Sequence, residues 1–420
     1  MPAVGIEALN AFGGCAVLDL ELLAVHRQLD RSRFANLLMK EKAVALPYED
    51  PVSYAVNAAK PVIDALSPAE KDRIELLITC SESGIDFGKS LSTYIHHYLG
   101  LSRKCRLYEI KQACYAGTAG FHAAANFVLS NTSPNAKALV IATDISRFMI
   151  PEDVDDLPED WAFAEPSGGA GAVAMLVGSD AQVFQLDVGA SGYYGYEVMD
   201  TCRPIPDSEI GDVDLSLLSY LDCCEASFKN YCERVLDVDY KSSFDYLTFH
   251  TPFGGMVKGA HRALMRKMAQ ARPAEIEADF ERRVAPSLRH CQRVGNIMSG
   301  TLFLALASTI DYGDISSPRR IGLFSYGSGC CSEFYSGVVT PKGREAVRRS
   351  LIGEQLDSRY RLTIEEYEFL LRGAGAVRFG TRNATLDPSF MPDARRAAPG
   401  SKRLFLRNIR EFHREYEWVA

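Results

Sequence analysis

Short runs of apolar residues recur along the chain and alternate with segments of helical periodicity. Dense runs of β-branched and aliphatic residues at 73–80, 137–145 and 244–250 are typical of strands buried in a mostly parallel sheet. Residues 51–68 and about 90–98 place apolar side chains at helical spacing. Strands that alternate with helices predict an α/β fold whose sheets are covered on both faces.

The second half of the chain repeats the order of elements of the first. Residues 137–177 are predicted to form a strand that returns as a second strand, and residues 320–339 a strand followed by a hairpin strand. The repetition lies in the order of elements rather than in residue identity. It predicts two halves, residues 1–180 and residues 181–420.

Two segments interrupt this plan. Residues 151–165 are acidic and predict an exposed loop, and a more polar extension begins at about residue 340, with a helix predicted at 363–373. Apolar side chains in residues 404–419 recur at helical or alternating spacing, which predicts that this stretch packs on the core. These side chains are Phe405, Ile409, Phe412 and Tyr416.

Composition narrows the function classes. Apolar residues make up 47% of the 420 residues, enough for a well-filled core, and the net charge of −8 argues against general nucleic-acid binding. No apolar run has membrane-spanning length, and the N-terminus lacks the layout of a signal peptide, so we expect a cytoplasmic protein. The eleven cysteines lack zinc-site spacing and are expected to be reduced thiols, with no metal bound.

Cys114 lies at the centre of residues 108–121, between a short β-type run and a small-residue stretch that predicts a buried helix through Leu129. Unpaired backbone N–H groups and the helix dipole favour a thiolate at a helix N-terminus. Cys114 is therefore a candidate nucleophile, and a buried structural cysteine is the alternative.

Glu82 and His250 each follow a predicted strand, at the edge where sites form in open α/β sheets. Taken singly, Glu82 could cap a helix and His250 could be a hydrogen-bonded loop histidine. Together with Cys114 they form a chemically complete set. A thiolate takes an acyl group, a carboxylate removes a proton, and an imidazole donates to a carbonyl oxygen.

Five segments in register resemble the signature segments of 3-hydroxy-3-methylglutaryl (HMG) synthases. They are Glu82-Ser83-Gly84, Gln112 to Ala119, His250-Thr251-Pro252-Phe253, Gly295-Asn296, and Ser325-Tyr326-Gly327-Ser328-Gly329. The resemblance implies a thiolase-like fold, a duplicated five-layer αβαβα unit that usually forms dimers.

The same resemblance implies roles for individual residues. Cys114 would be the acetylated nucleophile, Glu82 the general acid/base and His250 the group that polarises the acceptor carbonyl. Asn296 and Ser328 would be polar groups of the pocket, with Ser216 and Ser167 as further substrate contacts. The backbone N–H of Cys114 would contribute to an oxyanion site, and no metal or redox cofactor is implied.

Departures from the family pattern point to a particular branch. Where members that use coenzyme A carry two lysines after the histidine, this chain has Gly255 and Gly259, with Lys258 shifted by one position. Residues 39–47 also lack the family's usual segment. The amino-acid sequence of residues 38–42 and 251–261 is similar to that of the family branch that works beside modular polyketide synthases. In that branch, substrates arrive on acyl carrier proteins (ACPs).

The resemblance therefore implies a reaction between two carrier-bound substrates, a donor acetyl-ACP and an acceptor β-ketoacyl-ACP. An aldol-type addition followed by hydrolysis would give a 3-hydroxy-3-carboxymethyl acyl-ACP. Basic candidates for contact with an acidic carrier and its phosphopantetheine phosphate are Arg33, Lys40, Arg266 and Lys267. The alternatives are an HMG-CoA synthase of the mevalonate route, a relative of ketoacyl synthase III, and a catalytically silent scaffold that binds carrier proteins.

Overall fold

The computed structural model describes residues 3–146, 165–205, 208–372, 377–387, 389–395 and 402–420. The strands of these residues are β1 (Gly5–Phe12), β2 (Ala16–Asp19), β3 (Glu41–Val44), β4 (Ile74–Cys80), β5 (Arg106–Ile110), β6 (Lys137–Ile145), β7 (Ala170–Gly178), β8 (Phe184–Gly195), β9 (Thr201–Ile205), β10 (Ser208–Gly211), β11 (Tyr246–Phe249), β12 (Arg319–Gly327), β13 (Cys331–Val339), β14 (Tyr360–Arg361), β15 (Ala384–Thr385), β16 (Arg403–Arg410) and β17 (His413–Val419).

Their helices are α1 (Leu20–His26), α2 (Arg31–Ala35), α3 (Pro51–Asp64), α4 (Pro68–Lys71), α5 (Leu91–Leu99), α6 (Ala116–Ser130), α7 (Val213–Arg234), α8 (Gly254–Ala269), α9 (Pro273–Asp279), a π-helix (Phe280–Val284), α10 (Ala285–Val294), a 3₁₀ turn (Met298–Gly300), α11 (Thr301–Tyr312), α12 (Pro341–Arg348), α13 (Ile352–Asp357), α14 (Ile364–Leu371) and α15 (Pro392–Arg395).

Nine of the described strands form the central sheet, in the order β5-β4-β6-β7-β1-β8-β13-β12-β11. Outward from the joint between β1 and β8, each side has an antiparallel hairpin, β6–β7 or β12–β13, and then a parallel strand, β4 or β11. The joint itself consists of two residue pairs, Gly5 with Gln185 and Ile6 with Phe184. The predicted repetition of element order is therefore visible in the sheet, while the division near residue 180 stays a prediction.

The strands that the apolar runs predicted are the most buried ones. β6 has the predicted bounds and β4 begins one residue after the predicted start; every residue of β7 is buried. Helix α3 packs on β1, β6 and β7, and α6 packs on β4, β6 and β7. Pro51 begins α3, and the capping box of Asp50 and Ser53 satisfies its first N–H groups.

The C-terminal stretch is a β-hairpin, so the helical spacing considered for residues 404–419 is wrong. Strands β16 and β17 pair through an irregular register and bury Phe405, Ile409 and Tyr416. Phe412 lies at the turn, where its main chain is left-handed with φ of 67°, and its side chain is 59% exposed. The predicted helix near 363–373 is present as α14.

The acidic loop predicted at 151–165 lies almost wholly outside the described residues. Its last residue, Glu165, is described and is buried rather than exposed. Arg27 donates to both carboxylate oxygens of Glu165 at 3.0 Å, and the Tyr367 hydroxyl donates to one of them at 3.0 Å. The ion pair explains how this carboxylate is accommodated in the interior.

Across the part of the chain that is described, none of the helices has the length and apolar character needed to span a bilayer.

Candidate active site

One cavity of about 1360 Å³ collects most of the residues that the sequence singled out. Cys114, Glu82 and His250 all line it, although they come from three separate parts of the chain. Its wall also includes Asn296, Ser328, Ser216, Ser167 and Arg33. Glu82, His250 and Ser328 follow β4, β11 and β12, and Cys114 lies in the loop after β5, so the cavity opens at the carboxyl edge of the parallel strands. Arg33 and Ser216 reach it from the helices α2 and α7.

Glu82 stands two residues after β4, and its side chain is 16% exposed. The Nε atom of Arg203 lies 3.1 Å from Glu82 Oε1, so a guanidinium faces the candidate base. The backbone N–H of Glu82 donates to Asp144 Oδ1 at 2.9 Å. A carboxylate that is held from both its main chain and its side chain keeps a fixed direction toward the cavity.

Asp144, which the sequence reasoning missed, fixes the Glu82 loop. This buried carboxylate near the end of β6 accepts from Ser81 and Ser83, and its other oxygen accepts from the Ser299 hydroxyl at 2.6 Å. Burial raises the pKa of Asp144, while the hydrogen bond from Ser299 and the charge of Arg203 oppose that rise. The signal in the sequence was its place at a strand end, the feature that singled out Glu82.

Cys114 lies in the tight turn between β5 and α6, two residues before the helix begins, close to the predicted N-terminal position. Ala113 has a positive φ of 43°, a strained conformation for a residue with a side chain. A Cβ atom on Gly117 would lie 2.1 Å from the Ser299 carbonyl oxygen, and one on Gly327 would lie 2.6 Å from that of Gln112. Glycine at these positions lets α6 and β12 approach the turn.

His250 follows β11 directly and is only 1% exposed. Its backbone N–H donates to the Phe324 carbonyl oxygen at 2.8 Å, and its backbone carbonyl oxygen accepts from the Tyr220 hydroxyl at 2.7 Å. Burial lowers the pKa of His250 to about 3, so the imidazole is neutral at physiological pH. Among the described residues, no group hydrogen-bonds its Nδ1 atom.

Asn296, after α10, contacts Ser167, before β7. The Asn296 N–H donates to the Ser167 carbonyl oxygen at 2.7 Å, and the Asn296 side-chain oxygen accepts from Met298 N–H and the Thr301 hydroxyl. The opposite wall carries Ser328 in the β12–β13 connection. Asp200 holds that connection, since it accepts from the Tyr326 hydroxyl at 2.5 Å and from Gly329 N–H at 2.8 Å.

Of the four basic residues predicted to contact a carrier, only Arg33 lines the cavity. Lys40 is exposed beside α10, and its N–H donates to the Gln292 carbonyl oxygen. Arg266 and Lys267 lie in the last turn of α8, where Lys267 pairs with Glu225. These three residues do not line the cavity.

The glycines that replace two family lysines lie on α8. A Cβ atom on Gly255 would lie 2.0 Å from the Asn36 carbonyl oxygen, so a longer side chain does not fit there without a shift. Lys258 pairs with Glu277 at 2.5 Å and lies over the Phe280 ring, on the side of α9 and the π-helix. Its ammonium group is thus engaged within the protein.

The described part of the chain contains no group of three or more His, Cys, Asp or Glu residues arranged to hold a metal ion. The eleven cysteines are reduced. The side chains of the cavity can instead perform acyl transfer through a thiol, proton abstraction by a carboxylate and hydrogen-bond donation by a neutral imidazole.

Comparisons with known proteins agree with this chemistry. The family described as hydroxymethylglutaryl-coenzyme A synthase matches through its N-terminal part at residues 3–182 and its C-terminal part at residues 260–416. The polyketide biosynthesis 3-hydroxy-3-methylglutaryl-ACP synthase PksG of Bacillus subtilis is 67% identical over 420 residues, all of both chains.

Two solved structures of relatives differ in how similar they are to this chain. The HMG synthase of the curacin biosynthetic pathway, in complex with acetyl donor-ACP, is 67% identical with a TM-score of 0.95, over 99% of this chain and 100% of that one. MvaS in complex with 3-hydroxy-3-methylglutaryl coenzyme A is 30% identical with a TM-score of 0.84, over 100% of both chains. The predicted thiolase-like fold is confirmed by these structural neighbours.

Proposed function

This chain belongs to the hydroxymethylglutaryl-coenzyme A synthase family, and on that premise we propose that it installs a β-branch on a carrier-bound polyketide intermediate. It is an acyltransferase that forms a carbon–carbon bond. It adds the acetyl group of acetyl-ACP to the β-carbonyl of a β-ketoacyl-ACP, and hydrolysis leaves a 3-hydroxy-3-carboxymethyl acyl-ACP.

The observation that carries this function is the 67% identity with a polyketide HMG-ACP synthase over the full length of both chains. The MvaS structure that holds a coenzyme A thioester is 30% identical, less than half that value. The surroundings of α8 agree with a carrier-bound substrate. Gly255 leaves no room for a lysine side chain, and Lys258 is paired with Glu277, so two expected contacts to a nucleotide are missing.

In the first step, the Cys114 thiolate attacks the thioester carbon of acetyl-ACP. The bond to the carrier thiol breaks, the carrier leaves as its free thiol, and the acetyl group remains on Cys114 as a thioester. The turn that holds Cys114 packs closely against Gly327, and α6, which follows the turn, packs closely against Ser299. This packing keeps the sulfur at the cavity wall.

In the second step, the Glu82 carboxylate removes a proton from the acetyl methyl group. The enolate carbon attacks the β-carbonyl of the acceptor, and His250 donates a hydrogen bond toward the oxygen on which negative charge develops. The alkoxide then takes back the proton that Glu82 removed, which gives the 3-hydroxy group and restores the carboxylate. Because burial keeps His250 neutral, its contribution is one N–H donor rather than a full positive charge. Water then cleaves the Cys114 thioester and frees the product as a carboxylate.

The remaining parts of the proposal concern partners and location. Donor and acceptor both arrive as phosphopantetheine thioesters, so the acceptor is a second carrier protein, and the reaction needs no metal or redox cofactor. Arg33 at the cavity wall is the basic residue best placed to meet the phosphate of the carrier arm. We also propose a cytoplasmic homodimer.

Intact-protein mass spectrometry tests the donor. Purified enzyme is mixed with acetyl-ACP or with acetyl-CoA, and Cys114→Ala is the control. We expect a rapid gain of one acetyl group from the carrier, a slow or absent gain from coenzyme A, and none in the variant. Equal or faster loading from coenzyme A would identify an HMG-CoA synthase of the mevalonate type instead.

A second experiment separates the two steps. Glu82→Gln should accept acetyl from acetyl-ACP at the normal rate but condense at least about a hundredfold more slowly, because general acid/base groups contribute about 10²- to 10⁴-fold. Single-turnover consumption of acetyl-enzyme by β-ketoacyl-ACP measures the loss. Normal condensation by this variant would remove Glu82 from the role of base.

A further inference from the structure

Arg203 reaches the candidate base from the other half of the chain. It lies in the β9–β10 ribbon, and its Nε atom is 3.1 Å from Glu82 Oε1. Its NH1 group donates to the Ser83 hydroxyl at 3.3 Å. The side chains of Arg203 and Glu82 are 17% and 16% exposed, so solvent screens this pair only weakly. Both side chains line the cavity.

The ribbon that carries Arg203 is tied to the rest of the site. Asp200, directly before β9, is buried, and its carboxylate accepts from the Tyr326 hydroxyl and from Gly329 N–H. Its carbonyl oxygen accepts from the backbone N–H of Asp212 at 2.8 Å. Arg203 therefore approaches Glu82 from a fixed backbone. Such a geometry suits a group that sets the charge and direction of a neighbour.

Charges from several elements face the Glu82 loop. Asp144 accepts from the Glu82 N–H and is buried, so the loop carries a second carboxylate whose charge Arg203 also offsets. Other titratable groups that line the same cavity are Cys114 and His250, Glu109 on β5, Lys111 after it, and Asp86 and Lys89 after β4. Lys89 lies over the Tyr94 ring, and Glu109 accepts from the Leu91 N–H. Arg203 contacts the Glu82 carboxylate at ion-pair distance.

From this geometry we infer that Arg203 is a positioning residue for proton abstraction, whose charge keeps Glu82 in the ionised form while the acetyl methyl group is deprotonated. The inference rests on the proposed function, because it assigns Arg203 to the condensation step and not to acetyl loading. Nothing in the loading step requires Glu82, so loss of the Arg203 charge should leave that step intact.

The test compares the pH dependence of the two steps in Arg203→Gln, Arg203→Lys and the wild type. Acetyl loading is followed by intact mass, and condensation by single-turnover consumption of acetyl-enzyme, each from pH 5 to pH 9. An opposite charge within hydrogen-bonding reach moves a carboxyl titration by about 1–3 pH units. The low-pH limb is the part of the pH profile in which the condensation rate falls with pH. In Arg203→Gln this limb should move to higher pH by about 1–3 units, and the rate should recover toward that of the wild type at high pH.

The controls distinguish this role from a structural one. Arg203→Lys keeps the charge and should restore the position of the limb, and Arg320→Gln, which breaks an ion pair with Asp187 at the far end of β12, should leave both steps unchanged. A loss of condensation that is equal at every pH, or a limb that stays in place in Arg203→Gln, would overturn the inference. If Arg203→Gln does not fold, Arg203→Met provides the neutral variant.

Failure of the inference and failure of the proposed function give different results. If the function is wrong, the wild-type enzyme itself fails to load acetyl from the carrier or to condense. If only the role of Arg203 is wrong, the wild type performs both steps and the variants show no shift of the low-pH limb. A loss of acetyl loading in Arg203→Gln, with its fold intact, would also overturn the assignment to condensation.

Discussion

His250 is neutral because the protein buries it away from water. Burial is the cause of its lowered pKa, and its main chain is held by Phe324 and Tyr220 rather than through the ring. An imidazole in this state can donate one hydrogen bond at any pH above about 4, which suits a group that stabilises a developing oxyanion. The cost of keeping it neutral appears in the stability of the fold.

That cost predicts a pH-dependent stability. The unfolded histidine has a pKa near 6.5 and the folded one a pKa of about 3, so between these values the unfolded chain binds more protons. The destabilisation is absent above about pH 6.5 and grows as pH falls toward 3, by up to about 1.4 kcal/mol per pH unit. His250→Gln removes this group.

Urea unfolding of the wild type and of His250→Gln at pH 8 and pH 5 measures the effect. The free energy of unfolding of the wild type, relative to the variant, should fall by about 2 kcal/mol between the two values. His250→Asn provides a second neutral replacement of smaller size. A difference between wild type and variant that is the same at both pH values would show that His250 is not the group responsible.

The site residues divide by how local their signal is. Glu82, Cys114 and His250 were predictable because each follows a strand and carries a reactive group, and a strand end is visible in a single stretch of sequence. Asp144 offered the same signal at the end of β6, but its role, like those of Asp200 and Arg203, lies in contacts with residues 60 to more than 120 positions away. Such contacts depend on which strands become neighbours in the sheet.

At the scale of elements, close approach decides which glycines matter. Gly117 lies in α6 and faces the Ser299 carbonyl oxygen, whereas Gly259 lies in α8 with no atom within 4 Å of an added Cβ. Both are helical positions, so intrinsic propensity alone would favour alanine at each by about 0.5–1 kcal/mol. Packing should reverse the sign at one of them only.

We predict that Gly117→Ala destabilises the protein and Gly259→Ala stabilises it. At Gly117 the added methyl group would lie 2.1 Å from a backbone oxygen, so α6 must shift, at a cost of about 1–3 kcal/mol. The shift would also move Cys114, and acetyl loading should slow. Denaturant unfolding and intact mass after acetyl-ACP measure the two effects.

Both substitutions replace a helical glycine by alanine, so the two variants differ mainly in the packing around the new methyl group. If Gly117→Ala proves as stable as the wild type and loads acetyl at the normal rate, α6 does not need its close approach to the 3₁₀ turn. If Gly259→Ala is the variant that loses stability, the open space beside α8 is not as the geometry indicates.

The periodicity of apolar residues predicted the type of element correctly where burial was uniform, and it failed where burial was not uniform. Strand β6 lies in the middle of one side of the sheet, so an unbroken apolar run identified it correctly. The C-terminal stretch carries aromatics at spacings that fit a helix or a strand, and only the pairing of β16 with β17 decides between them. Charge misled in the same way at Glu165, whose burial depends on Arg27 from a distant part of the chain.

At the scale of the whole molecule, the net charge of −8 opposes approach by an acidic carrier protein. Binding must therefore depend on a local basic group at the cavity, and Arg33 on α2 is the predicted carrier contact that lines it. Steering by such a charge acts on the association rate and weakens with salt, since the Debye length is about 8 Å at physiological ionic strength.

We predict that Arg33→Gln slows acetyl loading from acetyl-ACP by about tenfold at low ionic strength, and that the deficit shrinks as salt is raised. Loading from a small acetyl thioester, which has no carrier to steer, should be unchanged, so the Cys114 chemistry is tested in the same protein. Arg320→Gln removes one positive charge from the end of β12 that lies away from the cavity, and this variant should behave as the wild type with both donors. An equal loss with the carrier and with the small thioester would place Arg33 in the chemistry of Cys114 rather than in carrier recognition, and no loss with either would exclude it from both.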